Sequence, residues 1–430
     1  MSGVLWDALP EGWVVGQVKN AASVTLGKML QNSDSGNDTR APYLRAANVQ
    51  PDGVLALDDV NEMWFGRAEL RQLNLRRGDV VVVEGGQGGF GRAAFVTQDL
   101  DGWGFQNSIN RLRPVGATDG RFVAYYLIAL RASGFIRAYC NIVSMPHLTA
   151  EKLARIPVPL PSPLEQTVIA DYLDRETAQI DTLIAKQEQL IETLRERREA
   201  AVTFTMDGGG YARRPTPSDW YPHLPDDWTL GRVKSVSQRV TDGAHISPDT
   251  NGGVYEFVST RDLHHGSIDF AGALRTSPET YEYMVRTGCQ PRAGDVLYSK
   301  DGTVGETAVI TENREFVVAS SLVIISPNPS LMLPEFMAYL FSSSSAREQA
   351  ASLMRGAGLP RLSVANLAGV HLPIPPLADQ ERVVIALDST TQRIDALIRK
   401  AEQFIVLATE RRRALITAAV TGQIDVMKAA

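Results

Sequence analysis

The chain has 430 residues, of which 44% are apolar and 21% charged, so it can bury several cores and has two to four domains to build rather than a disordered tail. A formal net charge of −6 excludes a polybasic binder whose whole surface attracts nucleic acid, and leaves open only a local basic cleft. Two cysteines, no apolar run long enough to span a bilayer and an N-terminus without basic and apolar leader regions together predict a cytoplasmic chain from a reducing compartment.

Reading from the N-terminus, Leu9-Pro10-Glu11-Gly12-Trp13 returns later as Leu224-Pro225-Asp226-Asp227-Trp228, and Gly16-Gln17-Val18-Lys19 as Gly231-Arg232-Val233-Lys234. Gly78-Asp79-Val80 returns as Gly294-Asp295-Val296, and Pro146-His147-Leu148 as Pro360-Arg361-Leu362. The spacing between matching residues stays close to half the chain length throughout. The chain is therefore two tandem copies of one domain-sized unit, far longer than a solenoid repeat.

Within each copy a mixed globule comes first. Val80-Val81-Val82-Val83 and Ala94-Phe95-Val96 flank a Gly-rich turn and predict a hairpin. Phe122 to Leu130 has helical character, with Glu335 to Leu340 as its counterpart.

A long helix follows. Ser162 suits the cap, Pro163 the first helical position, and Glu165 completes a capping box. Ile169, Leu173, Ile180, Leu183 or Ile184, Leu190 or Ile191, and Leu194 then recur near a 3.5-residue spacing until Asp207-Gly208-Gly209-Gly210 stops the helix; Leu183 and Leu190 are taken for the helix-pair interface. That is about 44 residues, or about 66 Å. The second copy repeats the stripe with Val383, Leu387, Ile394, Leu397 or Ile398, Phe404 or Ile405, and Leu415, ending near Gly422, with Leu397 and Phe404 taken for the interface, but has Pro376 where the first has its capping serine.

A helix this long cannot hide its stripe alone, whereas two with matching stripes bury each other. The fold class expected is α+β: two tandem mixed α/β globules, residues 1–160 and 213–374, separated by long helices in 161–212 and 375–430. The helices pair as an antiparallel coiled coil with pseudo-twofold symmetry. Residues 161–212 carry 5 basic and 10 acidic groups and residues 213–374 carry 14 and 17, so the acidity lies mainly in the first helix and the second globule.

The ordered set of motifs resembles the specificity subunit of Type I restriction–modification enzymes. It comprises a Trp early in each globule, a Gly-Asp-hydrophobic strand leading to a Gly-rich turn, and a proline run into a long helix. The runs are Ile156 to Gln166 and Leu372 to Glu381; Ile-Asp-x-Leu-Ile follows in both helices, and Ala418 to Asp425 reads Ala-x-x-Thr-Gly-Gln-Ile-Asp. The resemblance covers nearly the whole chain. It implies that each globule is a target recognition domain reading one half of a bipartite, asymmetric site on double-stranded DNA. It further implies that the helix pair fixes the unread spacer and docks two modification (adenine methyltransferase) subunits, joined in some systems by restriction (translocase and nuclease) subunits. No catalysis and no cofactor is then expected of this chain: S-adenosylmethionine belongs to the modification subunit, ATP and Mg to a restriction subunit. The alternative is a coiled-coil scaffold whose globules bind proteins.

Candidate DNA-contacting residues follow from side-chain chemistry. In the first globule Arg40, Arg45 and Asn48 form an early cluster, since Arg matches guanine and Asn adenine through paired hydrogen bonds. Arg261, His264 and His265 lie in the similar segment of the second. Gln87 and Arg92 sit in the Gly-rich turn, Lys300 and Thr303 in its counterpart; that turn lacks the Gly-Lys-Ser/Thr ending of a nucleotide loop. Asn107 and Ser321 occupy a shared element, and Ser144, His147, Arg355 and Arg361 precede the proline runs. Each also has a plain structural reading as a turn, a cap or a surface ion pair. The six histidines and two cysteines show no metal-ligand spacing. The arginines late in the helices, Arg195, Arg197, Arg198 and Arg411 to Arg413, read as a solvated face or a docking surface.

Overall fold

The computed structural model describes residues 4–86, 89–140, 147–246, 248–249, 253–264, 266–355 and 361–429. Its longest elements are two helices of 44 residues each, Pro163–Met206 and Leu377–Val420. The first begins with the reciprocal capping box: the Ser162 N–H donates to Glu165 Oε2 at 2.8 Å, and the Glu165 N–H to Ser162 Oγ at 3.4 Å. The Ser162 hydroxyl is the first cause holding the Glu165 carboxyl below its ordinary range. The second helix starts without this device, its first turn closing on the Pro376 carbonyl.

Compactness divides the chain into two units, Met1–Gln187 with Gln403–Ala430, and Glu188–Glu402. Each unit thus holds one globule and a segment of both helices.

In the first unit a four-stranded antiparallel sheet runs Ala22–Leu26, Ile109–Pro114, Val80–Val83, Ala93–Phe95. The expected hairpin is present, with Val80 opposite Phe95 and Val82 opposite Ala93. Its four valines are buried on both faces: Val80 and Val82 pack toward helix Gly120–Ala132, while Val81 and Val83 face a second core with Phe65 and Phe105. That explains an unbroken apolar run where a one-sided strand would alternate. A three-stranded sheet, Asn61–Phe65, Thr39–Leu44, Gly104–Phe105, completes the globule.

The second unit repeats the plan. Its sheets run Ser237–Asp242, Leu322–Pro327, Val296–Ser299, Thr307–Val309, and Leu274–Thr276, Tyr255–Val258, Phe316–Val318. The proline runs are strands: Pro157–Leu160 pairs with Val14–Gln17, and His371–Ile374 with Thr229–Arg232. Each forms an isolated two-stranded pair, where a missing proline N–H is tolerated.

Three joints tie a globule to the helices, each occurring once per unit. Buried Gln166 donates to the Pro161 carbonyl (2.9 Å) and accepts from the Asp119 N–H (3.1 Å). Gln380 does the same with Pro375 (2.9 Å) and Leu333 (2.8 Å). Tyr125 donates to Asp174 (2.7 Å), as Tyr339 does to Asp388 (2.6 Å), and desolvation raises both phenols, Tyr339 to about 12. Finally Gly422 and Gly208, both at left-handed φ of +70° and +74°, press against Pro10 and Pro225, so closely that a Cβ would enter the proline ring. The repeated Leu-Pro-x-x-Trp is therefore the seat for a helix end.

The stripe that buries between helices runs one step away from part of the expected one. Ile169, Leu173, Ile180, Leu194, Val383 and Leu387 are buried, and Ile394 is half-buried. Leu183, Leu190, Leu397 and Phe404 are exposed instead, at 46%, 44%, 51% and 39%. The alternating 3–4 spacing from Ile180 selects Ile184, Gln187 and Ile191, and in the second helix Ile398, Ala401 and Ile405. In each Leu-Ile pair the second residue faces inward.

Two arginines read as a solvated face also occupy the stripe. Arg412, whose side chain is 8% exposed, lies with Nε 2.9 Å from Asp181 Oδ1 and donates through Nη2 to the Asp52 carbonyl at 3.1 Å. In the second unit Arg198 Nε donates to Asp395 at 3.0 Å. The two pairs are equivalent in the duplication, Arg198 matching Arg412 and Asp181 matching Asp395. The pairs bring opposite ends of the two helices together within each unit, the antiparallel arrangement. Among the described residues no helix is long and apolar enough to cross a membrane.

Arg412→Met removes the buried charge and keeps an apolar stem; the melting temperature is expected to hold or rise. Asp181→Ala strands the guanidinium and is expected to cost about 1–3 kcal/mol. Thermal melts of the full chain followed by circular dichroism separate the two. Gly422→Ala and Gly208→Ala are each expected to cost about 1–3 kcal/mol from left-handed strain alone, with the proline clash in addition.

Candidate nucleic-acid interface

The central strands Val80–Val83 and Val296–Ser299 deliver their C-terminal ends to the same kind of place. In the first unit the Leu148 N–H donates to the Glu84 carbonyl at 2.7 Å, and Gly85 bridges His147. In the second the Leu362 N–H donates to the Lys300 carbonyl at 3.0 Å, and Asp301 bridges Arg361. Beside each lies a short 3₁₀ turn, Ala46–Asn48 or Thr260–Asp262. An Asx contact closes it: the Arg45 N–H donates to Asn48 Oδ1 at 2.9 Å, the Ser259 N–H to Asp262 Oδ2 at 2.7 Å. A serine then staples the turn to the next strand, Ser108 Oγ accepting from the Ala46 N–H (3.2 Å) and Ser321 Oγ from the Thr260 N–H (3.3 Å).

In the second unit this frame encloses a groove of about 450 Å³ whose lining includes Arg261, His264, Thr303 and Ser321. Four candidates from three separate stretches thus converge. Arg361 lies 3.4 Å from Asp301 on the groove wall and bridges Arg355, which is exposed.

Three candidates do not fit the role expected of them. Asn48 is 3% exposed, and its amide nitrogen donates to the Ala56 and Asp59 carbonyls, each at 2.9 Å, so it holds the turn and has no group left for adenine. Lys300 is held between Asp301 (3.3 Å) and Asp242 (3.6 Å), which neutralise its ammonium. Arg92 is half-buried and reaches the Val49 carbonyl at 3.4 Å. The turn glycines and flanking polar residues suggested exposed loops; apart from Asp301, which adjoins Lys300, the carboxylate and carbonyls that claim these side chains lie in other segments of the sequence.

Arg40 and Arg45 are both paired, with Glu62 (3.1 Å) and Asp59 (2.6 Å). Asn107 is half-buried and its N–H donates to the Lys28 carbonyl at 2.8 Å; His147 is exposed. Gln87, Ser144 and His265 lie outside the described residues.

Two features escaped the sequence reading. Glu84, which matches Lys300, is a half-buried carboxyl whose Oε2 has no hydrogen-bond partner among the described residues, and burial raises its pKa. Arg76 and Arg77 line a second cleft of about 480 Å³ at the opposite end of Val80–Val83 and carry no side-chain ion pair among the described residues. The signal for the latter was available: Arg76-Arg77 faces Arg292-Ala293 in the other copy. Among the described residues no group of three His, Cys, Asp or Glu is placed to hold a metal ion.

Known proteins are similar to this chain. The EcoBI specificity subunit of Escherichia coli is 23% identical over 300 residues, 67% of this chain and 63% of that subunit. The EcoKI specificity subunit of Escherichia coli K12 is 20% identical over 431 residues, covering 97% and 90%. Among solved structures, a chain from a type I R-M system, described for its complex assembly and conformational transition, superposes with a TM-score of 0.73 at 18% identity, covering 97% of this chain and all of that one. The HsdS subunit from Thermoanaerobacter tengcongensis gives 0.50 at 18% identity, covering 97% and 98%. The family described as the Type I restriction modification DNA specificity domain matches residues 10–193 and again 225–405. With both copies matched, the chain belongs to that family.

Proposed function

We propose that this chain is the DNA-specificity subunit of a Type I restriction–modification complex. Each globule reads one half of a bipartite, asymmetric site, and the helix pair sets the unread spacer. The observation that carries the reading is the duplicated frame: one turn, one Asx contact and one serine staple, presenting different side chains in the two units. Two readers of unlike sequences on one scaffold give an asymmetric target, as paired modules set half-site spacing in other DNA-binding proteins.

The chain binds and positions; methyl transfer to adenine occurs on the modification subunits, which hold S-adenosylmethionine, and ATP with Mg serves a restriction subunit where one joins. Its place of action is the cytoplasm, with the DNA. The exposed residues Leu183 and Phe404 in the first unit, and Leu397 and Leu190 in the second, support docking of two copies of one partner. Each unit offers one such residue from each helix, and the duplication matches Leu183 with Leu397 and Leu190 with Phe404. Exposed apolar side chains in repeated positions mark contact surfaces.

Methylation mapping in cells expressing the chain with its modification subunit is expected to show one bipartite motif with methyladenine in both halves and a fixed gap. Replacing residues 213–374 by a second copy of 1–160 is expected to give a bipartite motif whose two halves are inverted copies of one half-site. Absence of any motif, with the complex assembled, would favour the protein-binding scaffold. Leu183→Asp with Phe404→Asp is expected to reduce the bound modification subunits from two to one, read by native mass spectrometry. The complex is expected to show a steeper fall of DNA affinity with salt than the isolated chain, because a chain of net charge −6 neutralises few phosphates.

A further inference from the structure

The duplication supplies an internal control for deciding which side chain reads a base. The strand residues Leu44 and Val258 are equivalent: each accepts at its carbonyl from the N–H that follows its parallel partner strand, Gln106 at 2.9 Å and Ala319 at 2.8 Å. From that anchor Arg45 matches Ser259, Asn48 matches Asp262, Ala47 matches Arg261 and Gln50 matches His264. The frame is shared and the projecting residues differ. In the first unit Ala47 offers only a methyl, and the Gln50 amide folds back onto the Ala47 carbonyl at 2.5 Å. In the second a guanidinium stands at the same point.

Arg261 is set up as a fork. Its side chain is 58% exposed and lines the groove. Nε lies 3.5 Å from Asp262 Oδ1, and neither Nη has a partner among the described residues. Asp262 is itself fixed: it is 4% exposed, and its other oxygen accepts from the Ser259 N–H at 2.7 Å and from Ser259 Oγ at 2.9 Å. Asp301, the nearby wall carboxylate, is already engaged by Lys300 and Arg361 and does not capture the guanidinium. A planar fork with both outer nitrogens free matches the O6 and N7 acceptors of guanine in the major groove, and no other base edge offers that pair.

We infer that Arg261 reads a guanine in the half-site of the second globule, with Asp262 as the residue that positions it. This rests on the DNA-reading role proposed above. The first globule has no equivalent contact at this point of its frame.

The test is the methylome of the full chain with its modification subunit, wild type against three variants. Arg261→Gln is expected to keep the spacer and the first half-site and to relax one G·C position of the second, by about 10- to 100-fold in preference. Arg261→Lys, which keeps the charge and loses the fork, is expected to relax the same position. Asp262→Asn keeps the turn, since Asn48 closes its equivalent, and is expected to weaken preference at that position alone. An unchanged motif in Arg261→Gln overturns the inference. So does an even loss across all sequences with the salt slope lower by about one, the mark of a phosphate contact. A wild-type complex that directs no bipartite methylation overturns the DNA-reading role, and this inference with it.

Discussion

The structure depends on two long amphipathic helices that cannot stand alone. A solitary helix of this length in water gains little from its own backbone and exposes its whole stripe. Here the stripe is also impure, since it includes Thr177, Gln187, Arg198 and Arg412 among the aliphatic positions. Each buried polar group must find a partner or cost more than the apolar contact it replaces. The threonines answer locally, Thr177 Oγ1 donating to the Leu173 carbonyl at 2.7 Å and Thr391 to Leu387 at 2.8 Å. The arginines cannot, and reach across to Asp181 and Asp395. A buried ion pair adds little net stability, but it penalises arrangements that leave the charge alone. The paired arginines therefore act more on which residues face each other than on how tightly.

Each globule is bound to the start of one helix and the end of the other. Gln166 and Gln380 close the starts, and Pro10 and Pro225 seat the ends at Gly422 and Gly208. Because these joints are buried and directional, a reading element on a globule is held relative to both helices of its unit. The frame is robust to how its contacts are reached. Asp79 and Asp295 each accept from the N–H three residues earlier, at 2.8 Å. Each also pairs with an arginine, but Arg113 comes from strand Ile109–Pro114 and Arg239 from strand Ser237–Asp242. The two copies keep the carboxylate and change the donor.

The fold was legible where local chemistry acts over a few residues. The capping box at Ser162, the stop at Gly208 and the hairpin at Val80 are all short-range signals. The duplication supplied the rest of the architecture, since what recurs in both copies has to be scaffold. The choice between neighbours was not legible. Leu183 and Ile184 are equally apolar, and only the accumulated 3–4 spacing along a whole helix decides which one turns inward. The site was legible by region and not by residue. Arg261, His264, Thr303 and Ser321 do meet in one groove, whereas Asn48 is consumed by the Ala56 and Asp59 carbonyls and Lys300 by Asp301 and the distant Asp242. Pairing that reaches beyond a turn leaves no mark in a local pattern.

That consumption also explains how an acidic chain reads DNA. Arg40, Arg45, Lys300 and Arg361 each have a carboxylate within 3.4 Å. A compensated cation gives up part of its attraction for phosphate, because its own partner must be displaced or shared. Few uncompensated cations then remain among the described candidate residues, so undirected attraction to any duplex is expected to be weak. Weak general attraction leaves discrimination to the few side chains that keep free donors, since phosphate contacts position a protein on DNA without informing it of sequence. On the function proposed, a chain so built would take its affinity from the assembled complex and keep for itself the contacts that distinguish one site from another.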